Sequence, residues 1–299
     1  MNARDLVLSC LEHMRRQTVP HTVYLADNGQ NADGTSGAVR ERFPEVRLVE
    51  TGGNVGFGKA MNQMVAVSDG EIVVLANDDM DAEPQFIERL IAPFEDPQVG
   101  MVAGMTLQPG EGEVVDGFGI EVDPTLVAFN RLRHRSPVDE PGRLLGPSGG
   151  AAAYRRAAWE AAGGFDDHFF MYGEDVDLAL RLRLHGWEAR DAPDARGVHL
   201  GGASSGVDSP LQRRNSAFCR GFLLRRYGVL RSRHAPRAVA VEMLVVAWGF
   251  VRFRTLLPLK GRIAGWRAAA GTRKLPTPDG AVDDQIGFFE TIRRLRNER

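Results

Sequence analysis

The chain has 299 residues, 43% of them hydrophobic, with 37 Lys and Arg against 39 Asp and Glu and a formal net charge of −2. That length buries one large core or two modest ones, and the balanced charge removes the case for a nucleic-acid binder. The two cysteines, Cys10 and Cys219, lack metal-ligand spacing, and the N-terminal MNARDLVLSC carries an acid and no long apolar run, so a reduced, cytoplasmic protein without a secretion signal is the expectation.

In chain order, residues 4–17 place Leu6, Val7, Cys10, Leu11 and Met14 on one helical face. HTVYLADNG is a short β run closed by the turn Asp27-Asn28-Gly29. Residues 36–43 are helical and lead to VRLVETGGN. A helix follows over 57–68, then a strand over 71–76, the helical PQFIERLIAPF and the strand-like VGMVAGMTL. This alternation predicts a layered α/β domain with a largely parallel sheet. In such sheets ligands sit beyond the carboxyl ends of the strands, where Asp27, Asn54 and Asp78-Asp79 fall. Residues 108–147, richer in Gly, Pro and charge, read as a long excursion with weak β structure. PSGGAAAYRRAAWEAAGGF is a small-residue strand followed by a helix, and EDVDLALRLRLHGWEAR an amphipathic helix ending at Gly186. Beyond about residue 206 the pattern is helical and basic. Its most apolar stretch, AVAVEMLVVAWGFV, is too short to span a bilayer comfortably and contains Glu242.

Four stretches have residues suited to chemistry. Asn77-Asp78-Asp79 puts carboxylates at the end of an apolar strand, where Mg²⁺ takes one or two carboxylates and substrate phosphates; a solvated loop before a helix is the alternative. TGGNVGFGKAMN is a glycine-rich turn into a helix, lacking both the Lys-Ser/Thr of a P-loop and the dinucleotide-binding glycine spacing. Its amides suit phosphate or ribose, and its glycines also suit a plain strand-to-helix turn. Glu174, Asp175 and Asp177 open a helix behind the aromatic lead-in Phe169 to Tyr172; they suit helix capping, or a general base in a partly apolar pocket. His199 ends a short apolar run before Gly201-Gly202, placed as a structural residue or as a ligand.

Taken in order, YLADNGQNADGT, NVGFGKAMNQ, VVLANDDM, the long segment from GGAAAYRR to RLHGW, and ARGVHLGGAS resemble the inverting family 2 glycosyltransferases, in their bacterial rhamnosyltransferase-like branch. The resemblance covers about residues 5–205. It implies a GT-A fold, a Rossmann-like mixed sheet, with residues 1–205 as the catalytic domain and 206–299 as a helical, basic C-terminal region. It further implies nucleotide-sugar contacts at Asp27, Asn28, Asn54, Gly56, Phe57, Asn77 and Asp78. Mg²⁺ or Mn²⁺ would be held by Asp79 and His199, and Asp175, beside Glu174, would be the catalytic base. The family's motif often reads Asn-Pro-Asp or Asp-X-Asp, and here Asp78 stands in the middle. The donor would be a nucleoside-diphosphate sugar and the acceptor a glycan or lipid-linked glycan of the cell envelope.

Family members usually begin with a buried strand and a Tyr-Asn-like turn before a helix such as 4–17. Here Asn2 takes the turn position and that strand is absent, which implies roughly 10 or more residues rich in Val and Ile ahead of Met1. The C-terminal stretches interleave Arg and Lys with Phe, Trp and Leu. They suit an anionic membrane surface at the inner face of the plasma membrane, or packing onto the catalytic domain. A nucleotidyltransferase would carry a basic, glycine-rich N-terminal loop, which is missing. A non-catalytic nucleotide-sugar-binding protein at the membrane would not require Asp79, Asp175 and His199 together.

Overall fold

The structure, a computed structural model, describes residues 3–29, 33–110, 112–200 and 209–297. Helix α1 (Ala3–Arg15) buries Leu6, Val7, Leu8, Cys10, Leu11 and Met14, the three-and-four spacing that turns one face inward. Cys10 and Met14 join a core with Met80 and Phe86, whereas Val7, Leu8 and Leu11 pack with Val39 and Phe43. Then follow β1 (Tyr24–Asp27), α2 (Thr35–Arg42), β2 (Arg47–Glu50), α3 (Phe57–Val67), β3 (Ile72–Ala76), β4 (Met80–Ala82) and α4 (Phe86–Ile91). β1 and β2 form a parallel pair, with no ladder joining them to the main sheet among the described residues.

The main sheet is completed by β5 (Val99–Leu107), β6 (Val115–Gly117), β9 (Ala151–Arg155) and β10 (Glu188–His199). Its order is β3-β9-β5-β10-β4, with β6 on the end of β5. Only β5 and β10 pair in parallel; β9 runs antiparallel to both β3 and β5. A largely parallel sheet was the expectation from alternation, and the sheet is mixed. The excursion over 108–147 brings the chain back at the same edge, so β9 enters where β3 leaves, Ala151 opposite Ala76. The ends of β3, β5 and β10 therefore gather with the start of β9. β5 is buried at all nine positions, as a strand covered on both faces must be. The excursion itself holds β7 (Ile120–Val122) and β8 (Ala128–Asn130), an antiparallel pair.

β10 was not legible as a strand. Pro193 sits at its irregularity between Ala192 and Arg196, and charged residues interrupt the alternation. It is nonetheless central, between β5 and β4. Helices α5 (Arg156–Ala162) and α6 (Glu174–Leu184) cover the sheet, and α7 (Pro210–Arg226), α8 (Ala235–Phe253), α9 (Leu257–Ala268) and α10 (Phe288–Asn297) follow. The expected boundary at 205/206 falls outside the described residues. The core crosses it: Phe165, Phe169 and Val176 share one cluster with Cys219, Phe222, Tyr227, Ala238 and Ala269. α7 and α9 approach backbone to backbone, since a Cβ on Gly265 would stand 1.9 Å from the Phe218 carbonyl oxygen. No helix among the described residues is long and apolar enough to cross a membrane.

Candidate active site

The carboxylate motif lies in the turn between β3 and β4. β4 pairs with β10 so that Met80 opposes His199, which sets His199 beside Asp79, with Nε2 3.1 Å from Oδ1. Asp79 is 7% exposed and its Oδ1 receives no well-directed hydrogen bond. Asp116, from β6, accepts from His199 Nδ1 at 2.8 Å. The hydrogen bond to Asp116 and then the close Asp79 carboxylate push the His199 pKa up to about 10, so the imidazolium is held between two carboxylates. The Asn77 side-chain Nδ2 lies 3.2 Å from His199 Nε2. Asp78 opens to solvent, but the protein crowding it and the charge of Asp79 raise its pKa. Asp81, the middle residue of β4, accepts from Ser9 Oγ at 2.9 Å and lies 3.0 Å from His13 Nδ1.

The three acids at the start of α6 have three different fates. The helix starts behind Gly173 at φ 89°, where an added Cβ would stand 2.0 Å from Cys219 Sγ of α7. Asp175 Oδ1 accepts from the Val176 amide at 2.8 Å and Oδ2 from the Gly149 amide at 3.4 Å. Burial raises its pKa. Glu174 is buried with its Cγ 3.7 Å from where a Gly58 Cβ would be, and its Oε2 has no partner. Burial, then the charge of Asp175, push its pKa up to about 8. Asp177 is fully buried and accepts from Arg181 Nε at 2.8 Å and Tyr227 Oη at 3.0 Å, with Arg226 Nη1 3.4 Å away.

At the end of β1, Asp27 Oδ2 accepts from Ser36 Oγ at 2.6 Å. Asn28 Oδ1 accepts from the Val55 amide at 2.9 Å, and its Nδ2 donates to the Gly56 carbonyl at 3.3 Å. Asn54 Oδ1 accepts from the Gly56 amide at 3.1 Å. Gly56 has φ 88°, and a Cβ there would meet the Phe170 carbonyl oxygen at 2.1 Å; that oxygen accepts from the Phe57 amide at 2.8 Å. A Cβ on Gly149 would lie 2.9 Å from the Phe57 ring, and the Gly150 carbonyl accepts from the Asn77 amide at 3.1 Å. Contacts thus run from Asn28 through Gly56, Phe57, Gly149 and Gly150 to Asn77, His199 and Asp79, with Asp175 branching from Gly149. Of the residues expected from the sequence, Asn28, Asn54, Gly56, Phe57, Asn77, Asp79, Asp175 and His199 join this network; Asp27 holds Ser36 beside it, Asp78 faces solvent and Glu174 faces α3. Sequence reasoning missed Asp116, which has no local signal in EVVDG. It also missed Gly149-Gly150, whose doubled glycine before a small-residue strand is visible in PSGG.

No group of three or more His, Cys, Asp or Glu able to hold a metal is found among the described residues. Asp79 still fits a divalent ion, and His199 would join it only by releasing the Nε2 proton that now faces Asp79. The buried, unsatisfied Asp79 oxygen is a hard donor, and Mg²⁺ typically takes few protein ligands and leaves positions to phosphate and water. The site can hold an anionic group near Asp79 and His199 and accept a proton at Asp175.

Residues 1–217 match the model of the family described as glycosyltransferase like family 2. An N-acetylglucosaminyl-diphospho-decaprenol L-rhamnosyltransferase of Mycobacterium tuberculosis is 34% identical over 218 residues, 63% of this chain and 69% of the relative. An O-antigen biosynthesis protein of Myxococcus xanthus is 29% identical over 219 residues, 69% of this chain and 17% of the relative. Among solved structures, a mannosyltransferase of Pyrobaculum calidifontis in complex with GDP-Man and Mn²⁺ is similar, with a TM-score of 0.51 and 20% identity over 91% of this chain and 73% of its own. That last likeness concerns the fold alone, and the fold is GT-A.

Proposed function

The chain belongs to the glycosyltransferase-like family 2, and from that premise we propose that it inverts an anomeric centre with Asp175 as general base. The donor is a nucleoside-diphosphate hexose of the rhamnose kind. The acceptor is a glycan or lipid-linked glycan of cell-envelope polysaccharide, handled at the inner face of the plasma membrane. Residues 1–205 form the catalytic unit and 206–299 a helical addition.

The single observation that carries this reading is the Gly149-Gly150 turn, whose amide donates to Asp175 and whose carbonyl accepts from Asn77. Two functions thereby share one rigid support: a proton acceptor on one side and the Asp79–His199 pair on the other. Asp175 takes the proton of the acceptor hydroxyl as that oxygen bonds to the anomeric carbon and the bond to the diphosphate oxygen breaks. Burial raises its pKa, so the carboxylate is a stronger base than one in water. Asp27, Asn28 and the turn at Asn54, Gly56 and Phe57 line the nucleoside side, and Asn77 and Asp78 the sugar diphosphate. Asp79 and His199 would hold Mg²⁺ or Mn²⁺, which when bound supplies positive charge opposite the leaving diphosphate. The test is incubation with dTDP-, UDP- and GDP-sugars, Mn²⁺ and a polyprenyl-diphosphate-linked GlcNAc. Acceptor-dependent release of one nucleoside diphosphate is expected; no release with any donor would overturn the reading.

A further inference from the structure

α8 is apolar on its outer face as well as on its inner one. At 100° per residue, the half of its circumference that faces solvent carries Val239, Met243, Leu244, Trp248, Phe250 and Val251, all exposed, with Met243 at 67% and Val251 at 69%. Pro236, Ala240 and Ala247 lie between them on that arc, as does Arg237, whose guanidinium turns inward to pair with Asp123 at 2.8 Å. The one acid of the helix, Glu242, points the other way, where Arg220 Nε donates to it at 2.9 Å and Arg262 of α9 also pairs with it. The inner face carries Ala238, Val241 and Gly249. The apolar surface continues through Leu256 onto Leu259 and Ile263 of α9, which are also exposed. So many large apolar side chains exposed on one helical hairpin are uncommon on a monomer and mark an interaction site.

The charge around it identifies the occupant. Between Glu242 and Asp279 there is no acid, whereas Arg252, Arg254, Lys260 and Arg267 are exposed along the same hairpin without a carboxylate partner among the described residues. Two copies placed face to face would bring these cations together. An anionic bilayer accepts the apolar side chains below its headgroups and the cations among them. α8 is about 28 Å long at 1.5 Å per residue but is not apolar enough to cross a bilayer, so it lies in the interfacial plane.

We propose that the outer face of the α8–α9 hairpin docks the protein on an anionic lipid surface. This rests on the reading of a lipid-linked acceptor and names the surface that meets the lipid. The link to the site is short: α9 packs on α7 through Gly265, and Cys219 of α7 is seated against Gly173 at the start of α6.

The experiment is flotation of the full chain with phosphatidylglycerol–phosphatidylcholine vesicles and with phosphatidylcholine alone, with no donor sugar present. The parent floats with the anionic vesicles, and less as sodium chloride rises. Leu244→Glu and Trp248→Glu each lower the vesicle-bound to free ratio about tenfold or more, and Arg252→Gln with Arg254→Gln lowers it about fivefold per charge. Thermal midpoints of these surface variants stay near the parent's, so loss of folding is separable. Equal flotation with both lipids, unaltered flotation in the glutamate variants, or no flotation with sedimentation as a dimer that the same substitutions dissolve, would overturn docking. Transfer to a short-chain, water-soluble acceptor reports on the catalytic reading separately. It persists in Trp248→Glu, and its failure in a parent that floats would overturn the transferase reading and leave the docking intact.

Discussion

Helices α1 and α8 each carry a strongly apolar face, and the two faces are turned in opposite directions. α1 turns Val7, Leu11 and Met14 inward and leaves Glu12 and Arg15 to pair with Arg42 and Glu45 at the surface. α8 turns Trp248 and Val251 outward and keeps its acid inside. An amphipathic pattern states that one face avoids water; only the fold around it decides whether protein or another phase covers that face. The same contrast separates the two regions. The α/β region spends its charge at strand ends, where it can do chemistry. The C-terminal region uses it to hold helices against the α/β region, through Arg226 to Asp177, Arg220 to the Thr125 and Leu126 carbonyls and Arg237 to Asp123.

The sharpest way to separate chemistry from scaffolding is Asp175→Asn. Transfer falls about 10²–10⁴-fold, the usual contribution of a general base, while isothermal titration finds donor affinity within a few-fold of the parent. Turnover near the parental value would remove Asp175 from the mechanism. Arg226→Met tests the other region. It strips one cation from the fully buried Asp177, and breaking a buried pair destabilises by about 3–5 kcal/mol; Arg181 and Tyr227 remain on Asp177, so the lower end is expected in urea unfolding. No change in the unfolding midpoint would mean that α7 does not hold α6.

Asp116→Asn sharpens the picture at the margin of the site. Asp116 orients His199 through Nδ1, and loss of such a partner costs about 10–100-fold in metal affinity or activity. Mn²⁺ titration of the donor complex reads it, and unaltered Mn²⁺ dependence would show His199 oriented by other contacts. The smallest effect concerns Glu174. Its pKa in the folded chain is about 8 against an ordinary 4.5, so the folded state binds more protons between those values. The stabilisation is complete below about pH 4.5 and is lost as pH rises towards 8, on the order of a kcal/mol or more. Glu174→Gln therefore flattens the decline of thermal midpoint between pH 5 and 9; an unaltered decline would place the titration elsewhere.

The strand ends were legible because Asn77-Asp78-Asp79 and Asp27-Asn28 each break an apolar run; their charge suited a ligand site or a solvated loop, and the family resemblance favoured the site. Residues 174–177 were legible as a helix start, but their separate fates were not. Adjacent acids in a first turn point about 100° apart, and only packing decides that Asp175 meets Gly149 while Asp177 meets Arg181 and Tyr227. β10 was hidden by Pro193 and its neighbouring charges, although it places His199. Asp116 was hidden because its partner lies 83 residues away. The C-terminal helices were legible as basic and aromatic, but the pattern alone could not say that α8 presents its apolar side outward.

The most direct test of the central claim is the anomeric configuration of the product. Proton NMR of the glycoside formed from a donor of known configuration, with Mn²⁺ and a soluble acceptor, reads it in one spectrum. A single displacement assisted by Asp175 gives a product of opposite configuration to the donor. Retention of the donor's configuration would contradict it and require a second displacement or a front-face attack that this site does not explain.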